Sequence, residues 1–582
     1  MSSETKNCQN CDKDFVIEAE DFDFYKKIGV PVPTWCPECR MIRRMSWRNE
    51  SSLYRRNCGL CKKPIITMYA PDSPFRIYCH ECWISDRWDG KEYGADYDWN
   101  TPFFSQFRKL LENVPLDMAD IKGTMVNSEY GNYNGTCKNC YMCFSTILSE
   151  DSFYCSSSQE LKQCMDSVYL RNAELCYEAI DSDKSYGCAF IEKTRESTDS
   201  RFLLGCSNVS NCFMSSNLRN GSHIFRNEQL NAEEYAARMS KIDFGSSDTI
   251  KKLKEEFEKL KESTLCKYAD IKNAVDANGD NIANSKHVSR SFSVGDSENV
   301  KYSVRIMKNS RDIYDCHGAV SGELAYESSG CGFSPRNDLF SISIDVSRDI
   351  RYCALCRDCS DCFGCIGLKK QSYCIFNKQY SKEEYEKLVL KIIEHMNEMS
   401  YVDRKRRTYK YGEFFPPELS PFGYNETIAQ EYFPLTENVA KERGYIWRDE
   451  GKRQYSVTLR SKDISDNIKD IDDSILNEVI GCEHADSAAK CNQRCSTAFK
   501  IAPQELQLYK QYGVPIPRLC PNCRHFERLA QRNPLKLWHR GCMCDKSSHS
   551  HKGHCPNEFE TSYAPESKEV VYCEQCYNAE VV

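Results

Sequence analysis

Tyr25-Lys26-Lys27-Ile28-Gly29-Val30-Pro31-Val32-Pro33, followed by Cys36-Pro37-Glu38-Cys39-Arg40, has a copy near the other end of the chain. The copy reads Tyr509-Lys510-Gln511-Tyr512-Gly513-Val514-Pro515-Ile516-Pro517, followed by Cys520-Pro521-Asn522-Cys523-Arg524. Without a gap, Cys11, Cys36, Cys39 and Cys58 fall on Cys495, Cys520, Cys523 and Cys542. After an insertion, Cys61, Cys79 and Cys82 fall on Cys555, Cys573 and Cys576. Duplicated Cys-x2-Cys knuckles put pairs of thiolates on tight turns, and two such pairs complete a tetrahedral metal site.

The spacing groups these thiols into four zinc sites. Cys8, Cys11, Cys36 and Cys39 form the first, and Cys58, Cys61, Cys79 and Cys82 the second. Cys491, Cys495, Cys520 and Cys523 form the third, with one knuckle loosened to Cys-x3-Cys. Cys542, Cys555, Cys573 and Cys576 form the fourth, and Cys544 or one of His549, His551 and His554 is an alternative to Cys542. Four-thiolate sets are closed, so they stabilise small domains and leave no open position for catalysis.

Length and composition bound the rest. At roughly 150 residues per domain, 582 residues make about four domains. The 36 cysteines do not sit in a short secreted chain, and Met1 to Lys6 lacks an apolar core. The reading is a reducing cytoplasm, with no apolar run near the ~18 residues that span a bilayer. A net charge of −7 makes any basic surface local.

One such surface follows each knuckle. Arg40, Arg44 and Arg48 are spaced to share one helical face, and Arg524, Arg528 and Arg532 repeat the stripe. Cys36 to Lys63 carries eight Lys and Arg against Glu38 and Glu50. Like charges four apart cost a helix roughly 0.2–0.5 kcal/mol per pair, so the stripe calls for an anion. With Trp47, Tyr54 and Trp538 nearby for stacking, the first reading is RNA or DNA. The second is an internal acidic partner, for which Asp466, Asp470, Asp472 and Asp473 are candidates.

The middle holds a second duplication. Ser210 to Tyr235 aligns without gaps to Ser360 to Tyr385. Shorter units recur at roughly 22–24 residues, as in Cys140, Cys164 and Cys188, which argues for stacked β-coils with cysteine as an interior small hydrophobe. Cys353, Cys356, Cys359, Cys362 and Cys365 resemble an iron–sulfur run. Their counterparts in the first half, Leu203, Cys206, Val209, Cys212 and Ser215, point to an interior stack instead. Asn231 and Ser381 are candidate N-caps with Glu234 and Glu384 at the capping-box position. Phosphate-loop, dinucleotide and nucleophile-elbow motifs are absent from the sequence.

The fold class is therefore mainly β with some α. A duplicated β-solenoid, β-helix-like, is flanked by treble-clef and zinc-ribbon domains. The expected divisions are a double zinc finger at 1–100, a bridging helix at 101–125, solenoid halves at 126–229 and 266–380, and helices at 230–265 and 381–400. An aromatic, proline-rich strap with an acidic helix spans 401–481, and a second double finger 482–582. The order of elements resembles a group of uncharacterised multi-zinc-finger proteins of small-genome, uncultivated bacteria. The carrying residues are Val30 to Arg40, Cys82-Trp83, Cys212-Phe213, Asn217 to Asn220, Tyr411 to Pro417 and the final zinc block. Similar proteins sometimes carry a CoA-transferase label, for which the residues show no nucleotide-binding α/β pattern. The leading expectation is a non-enzymatic zinc protein that contacts nucleic acid or a ribonucleoprotein through Arg40, Arg44, Arg48, Arg524, Arg528 and Arg532. The alternatives are a protein-interaction scaffold with structural zinc and an enzyme acting in a solenoid groove.

Overall fold

The centre of the chain is built on a three-residue rhythm. In the computed structural model, which describes residues 2–449, 451, 455–485, 491 and 494–581, left-handed φ recurs at every third residue. Tyr154, Ser157, Glu160 and Gln163 have φ of 56°, 53°, 55° and 49°. The residue after each one, Cys155, Ser158, Leu161 and Cys164, is buried. Four such corners close one coil, and parallel strands stack at a spacing of 12: Tyr177 pairs with Ala189, Arg201 with Phe213, and Ser207 with Arg219. The 22–24-residue recurrence seen in the sequence is two coils, because inward residues such as Cys140 and Cys164 share a column only at multiples of 12.

Left-handed corners in L-residues cost roughly 1–2 kcal/mol each and need compensation. The backbone supplies it. Phe153 donates its N–H to the Cys164 carbonyl on the next coil, and Tyr154 donates to Tyr141 on the previous one. At many corners the inward residue donates to a side chain. Leu161, Cys164 and Leu170 N–H bind the hydroxyls of Ser149, Ser152 and Ser158 at 3.2, 3.2 and 3.1 Å. Cys365 N–H binds Cys353 Sγ in the same way, at 3.3 Å. An inward Ser or Cys thus fills a narrow interior and satisfies a backbone donor that would otherwise be buried alone. This explains the Ser- and Cys-rich composition. Cys353, Cys356, Cys359, Cys362 and Cys365 are the inward residues after five successive corners, and their thiols donate to backbone carbonyls such as those of Arg351, Ala354 and Arg357.

The chain forms two compact units, Met1–Asp120 with Ala269–Arg448, and Ile121–Tyr268 with Asp449–Val582. The N-terminal fingers therefore fold with the second solenoid half, and the C-terminal fingers with the first. The duplication extends to detail. In the first unit strand Ile77–Tyr78 pairs in parallel with Leu116–Asp117, and in the second Val570–Tyr572 pairs in parallel with Leu265–Lys267. Helices Ala232–Met239 and Lys382–Glu398 follow the solenoid halves, each with the capping box formed by Asn231 and Glu234 or Ser381 and Glu384. Helix Ser247–Ser263 buries Ile250, Leu253 and Phe257. Among the described residues no helix is long and apolar enough to cross a membrane.

The acidic stretch after Arg460 is not a helix. It forms short 3-10 turns at Ser461–Asp463, Ile468–Asp470 and Asp473–Asn477. Ile464, Ile468, Ile471 and Ile475 enter the core, and Asn467 and Asp472 cap successive turns.

An inward position after the Asn337 corner carries a charged group. Asp338 lies in the coil interior with no exposure, and both carboxylate oxygens lack a hydrogen-bond donor. The neighbouring hydroxyls of Ser328 and Ser341 donate to backbone carbonyls. Burial pushes the Asp338 carboxyl up to about 7. An unfolded aspartate titrates near ~3.9, so between that pH and about 7 the folded chain holds a proton the unfolded chain has lost. Stability from this site therefore falls as pH rises through that window and levels off above it, by on the order of 4 kcal/mol. Asp338→Asn is expected to raise the thermal midpoint at pH 8 and to change it little at pH 4. Equal effects at both pH values would refute this reading.

Candidate metal centres

Each knuckle opens a helix. Cys36 is the N-cap of Pro37–Met45, Cys79 of His80–Ile84 and Cys520 of Pro521–Ala530, with Pro37 and Pro521 at the first helical turn. The helix N-terminus faces the thiolates and favours their negative charge. Cys36 N–H donates to Cys8 Sγ, Cys79 N–H to Cys58 Sγ and Cys573 N–H to Cys542 Sγ, each at 3.2 Å. Burial opposes ionisation of Cys58, yet backbone N–H groups of Cys79, Cys61 and Leu60 bring its thiol down to about 6.

Four sets of four thiols converge, each with its sulfurs within 4.8 Å of one another. They are Cys8, Cys11, Cys36 and Cys39; Cys58, Cys61, Cys79 and Cys82; Cys482, Cys495, Cys520 and Cys523; and Cys542, Cys555, Cys573 and Cys576. Sulfur–sulfur distances are 3.9 Å for Cys11 and Cys36, 3.8 Å for Cys61 and Cys79, 3.5 Å for Cys520 and Cys523, and 3.7 Å for Cys555 and Cys576. Metal–sulfur bonds of about 2.3 Å in a tetrahedron give edges near 3.8 Å, whereas a disulfide needs about 2.0 Å. The cysteines of the four sets are free thiols. The donor set fits a tetrahedral ion.

The third site departs from the sequence reading. Cys482 takes the place assigned to Cys491. Strand Ile480–Gly481 pairs with Ala498–Phe499, as Glu4–Asn7 pairs with Asp14–Ile17 in the first finger. Cys482 then sits where Cys8 sits: its N–H binds the Thr497 carbonyl and its Sγ receives Cys520 N–H at 3.2 Å. The loop to Cys495 is longer than its counterpart, and Cys491 lies beside the site, 3.7 Å from Cys523 Sγ and 3.6 Å from His484 Nδ1. The short apolar strand Ile480-Gly481 before Cys482 was the sequence signal. In the fourth site Cys542 is the fourth thiol, and Cys544 is not.

The arginine stripes point inward. Arg40, Arg43 and Arg44 are at most 1% exposed. Arg40 binds Asp315 at 2.8 Å, Arg43 binds Glu327 at 3.0 Å and Glu413 at 2.8 Å, and Arg44 binds Asp315 and Glu327, each at 3.1 Å. Beyond the helix, Arg48 pairs with Glu50, which also binds Arg305. Burial and the Arg305 charge hold His317 well below its usual range, so it stays neutral among these cations. In the other unit Arg524 and Arg528 share Asp166 at 3.1 and 2.7 Å, and Arg532 binds Asp181 at 2.9 Å. Burial alone would raise Asp166; Arg524 and Arg528 reverse this and hold it below the usual carboxylate range. Asp315, Glu327 and Asp166 are left-handed corners of the solenoid, which explains why the outward side chains reach the stripe.

The expected surface role of Arg40, Arg44, Arg48, Arg524, Arg528 and Arg532 thus gives way to internal pairing. The internal partners are solenoid corners and Glu413, and not Asp466, Asp470, Asp472 or Asp473. Asp466 instead receives the N–H groups of Ser247 and Asp248 through its carbonyl and carboxylate, while Asp473 pairs with Lys510. Trp47 is buried against Phe414 and Phe415, and Tyr54 hydrogen-bonds Glu426. No family model matches the chain, and no curated protein matches it.

The Cys482 assignment separates two variants. Cys482→Ser is expected to lower the bound-metal count by one ion and to loosen the third finger, while Cys491→Ser keeps the count. The reverse pattern, read by native mass spectrometry, would restore Cys491 as the ligand.

Proposed function

We propose that the protein is a zinc-stabilised, non-enzymatic scaffold in which each pair of fingers clamps a solenoid half. The observation that carries this reading is the burial of Arg40, Arg44, Arg524, Arg528 and Arg532 against carboxylates of the solenoid within their own units. Zinc follows from the donor set: four thiolates suit a soft-tolerant ion that prefers a tetrahedron and has no redox role. Its place is structural, because each finger is small and the sulfur sets are closed.

The solenoid surface supports protein contacts better than a polyanion. One column of exposed side chains runs Lys138, Glu150, Lys162 and Glu174 and pairs Lys138 with Glu150 and Lys162 with Glu174, and a second column pairs Lys184 with Glu196. Charge alternates along the first, and beside it Asn139 bonds to Asp151. A nucleic-acid groove calls instead for a continuous basic track. The setting that fits the free thiols is the cytoplasm, where thiols stay reduced.

The test joins stability to binding. Arg44→Ala and Arg528→Ala each remove one of the guanidiniums that share a buried carboxylate, and each is expected to cost roughly 3 kcal/mol of stability. Neither should alter binding to random single-stranded RNA. Salt-sensitive RNA binding by the wild type that either variant removes, with the melting temperature unchanged, would overturn the scaffold reading in favour of nucleic acid.

A further inference from the structure

The two double fingers also differ where the second site is built. In the first copy two residues, Gly59 and Leu60, separate Cys58 from Cys61; in the second, twelve separate Cys542 from Cys555. The longer connection keeps the four-thiol core, since Cys542, Cys555, Cys573 and Cys576 converge as their counterparts do. It adds Cys544, His549 and His551, and these three come together with Cys576 into a further group whose ligand atoms lie within 4.8 Å of one another.

The local hydrogen bonds prepare this group for an ion. His549 Nε2 is 2.8 Å from the Glu580 carboxylate, which leaves Nδ1 as the free lone pair, 3.1 Å from Cys544 Sγ. His551 Nδ1 is 2.8 Å from the Gly553 carbonyl, which leaves Nε2 free, 3.4 Å from Cys576 Sγ. A carboxylate or carbonyl on the far nitrogen is how metal-binding imidazoles are held in one tautomer and orientation. His554 turns away to Asp545 and takes no part.

Cys576 belongs to both groups. Its counterpart in the first copy, Cys82, has its sulfur 2.7 Å from the Arg87 guanidinium, so a cation outside the four-thiol set already faces this thiolate there. In the second copy the corresponding side of the thiolate faces His551 and the inserted loop.

We propose that the last finger is a two-metal centre: a second divalent ion is held by Cys544 Sγ, His549 Nδ1, His551 Nε2 and Cys576 Sγ, with the Cys576 thiolate bridging it to the ion of the four-thiol site. This rests on the reading that the four-thiol sets hold zinc. Each ion keeps four ligands, and the extra positive charge offsets the crowding of five thiolates in one small domain. The ion is structural: it ties the inserted loop to helix Glu574–Val581, which carries Cys576 and Glu580.

The experiment compares the zinc count of the full chain, purified with Zn2+, with that of His549→Ala/His551→Ala and of Cys544→Ser, by native mass spectrometry. Each variant is expected to hold one ion fewer than the wild type. The difference carries the proposal independently of the total: failure of the four-site reading lowers all three proteins together, whereas failure of the bridge leaves all three equal. Equal counts overturn the proposal. Cobalt substitution supplies a second reading. A thiolate-bridged pair of Co2+ ions couples magnetically, so the high-spin signal per cobalt should rise in the histidine variant; an unchanged signal per cobalt would also overturn it.

Discussion

A four-thiol knuckle that drives a row of arginines into a wall of carboxylates is the interaction on which each unit depends. Four thiolates set the direction of helix Pro37–Met45, and with it the places where Arg40, Arg43 and Arg44 end. Three guanidiniums buried together would be prohibitive without anions. Asp315, Glu327 and Glu413 supply them, and the Arg43 guanidinium also lies 4.4 Å from the Trp35 ring. The copy solves the same problem with fewer charges, sharing Asp166 between Arg524 and Arg528 and stacking Arg532 at 3.7 Å on Tyr169. Glu505, the counterpart of Asp21, accepts hydrogen bonds from Tyr154 and Tyr509 in the same core.

The solenoid makes such walls available because its chemistry is separated by position. Inward residues are Ser, Cys and aliphatic side chains, with Ser and Cys satisfying backbone donors; left-handed corners aim side chains outward at fixed intervals. A carboxylate at a corner costs little there and can be met by whatever packs on that face. In the first half, Phe190, Phe202 and Met214 occupy the same kind of corner as Asp166 and build an apolar face. One backbone pattern therefore serves both an ionic and an apolar interface.

Much of this was written in the sequence. The paired thiols, the stacked-coil centre and the capping boxes at Asn231 and Ser381 were legible because each rests on local spacing. The reading failed where the deciding contact is distant in sequence. Nothing near Arg44 names Asp315 or Glu327, which lie more than 270 positions away and look like ordinary polar residues of a repeat. The period was read at twice its value because two coils put the same residue types back in one column more often than one coil does. Spacing points to Cys491 because it lies near Cys495, whereas the two-residue strand that places Cys482 is too short to stand out in the sequence. The acidic run after Arg460 looked helical by composition, but its isoleucines and capping Asn467 and Asp472 favour single turns.

The account stands on the claim that the metal holds the arginine helices on the solenoid, so that removing it should expose the solenoid wall itself. Hydrogen–deuterium exchange with and without a zinc chelator tests this directly. Stripped of metal, the protein should lose protection in helices Pro37–Met45 and Pro521–Ala530 and also in the solenoid segments they cover, strand Arg311–Val320 and residues 154–166, while inward-facing corners on other sides of the coils keep theirs. Loss confined to the fingers, with those solenoid segments exchanging as before, would contradict it.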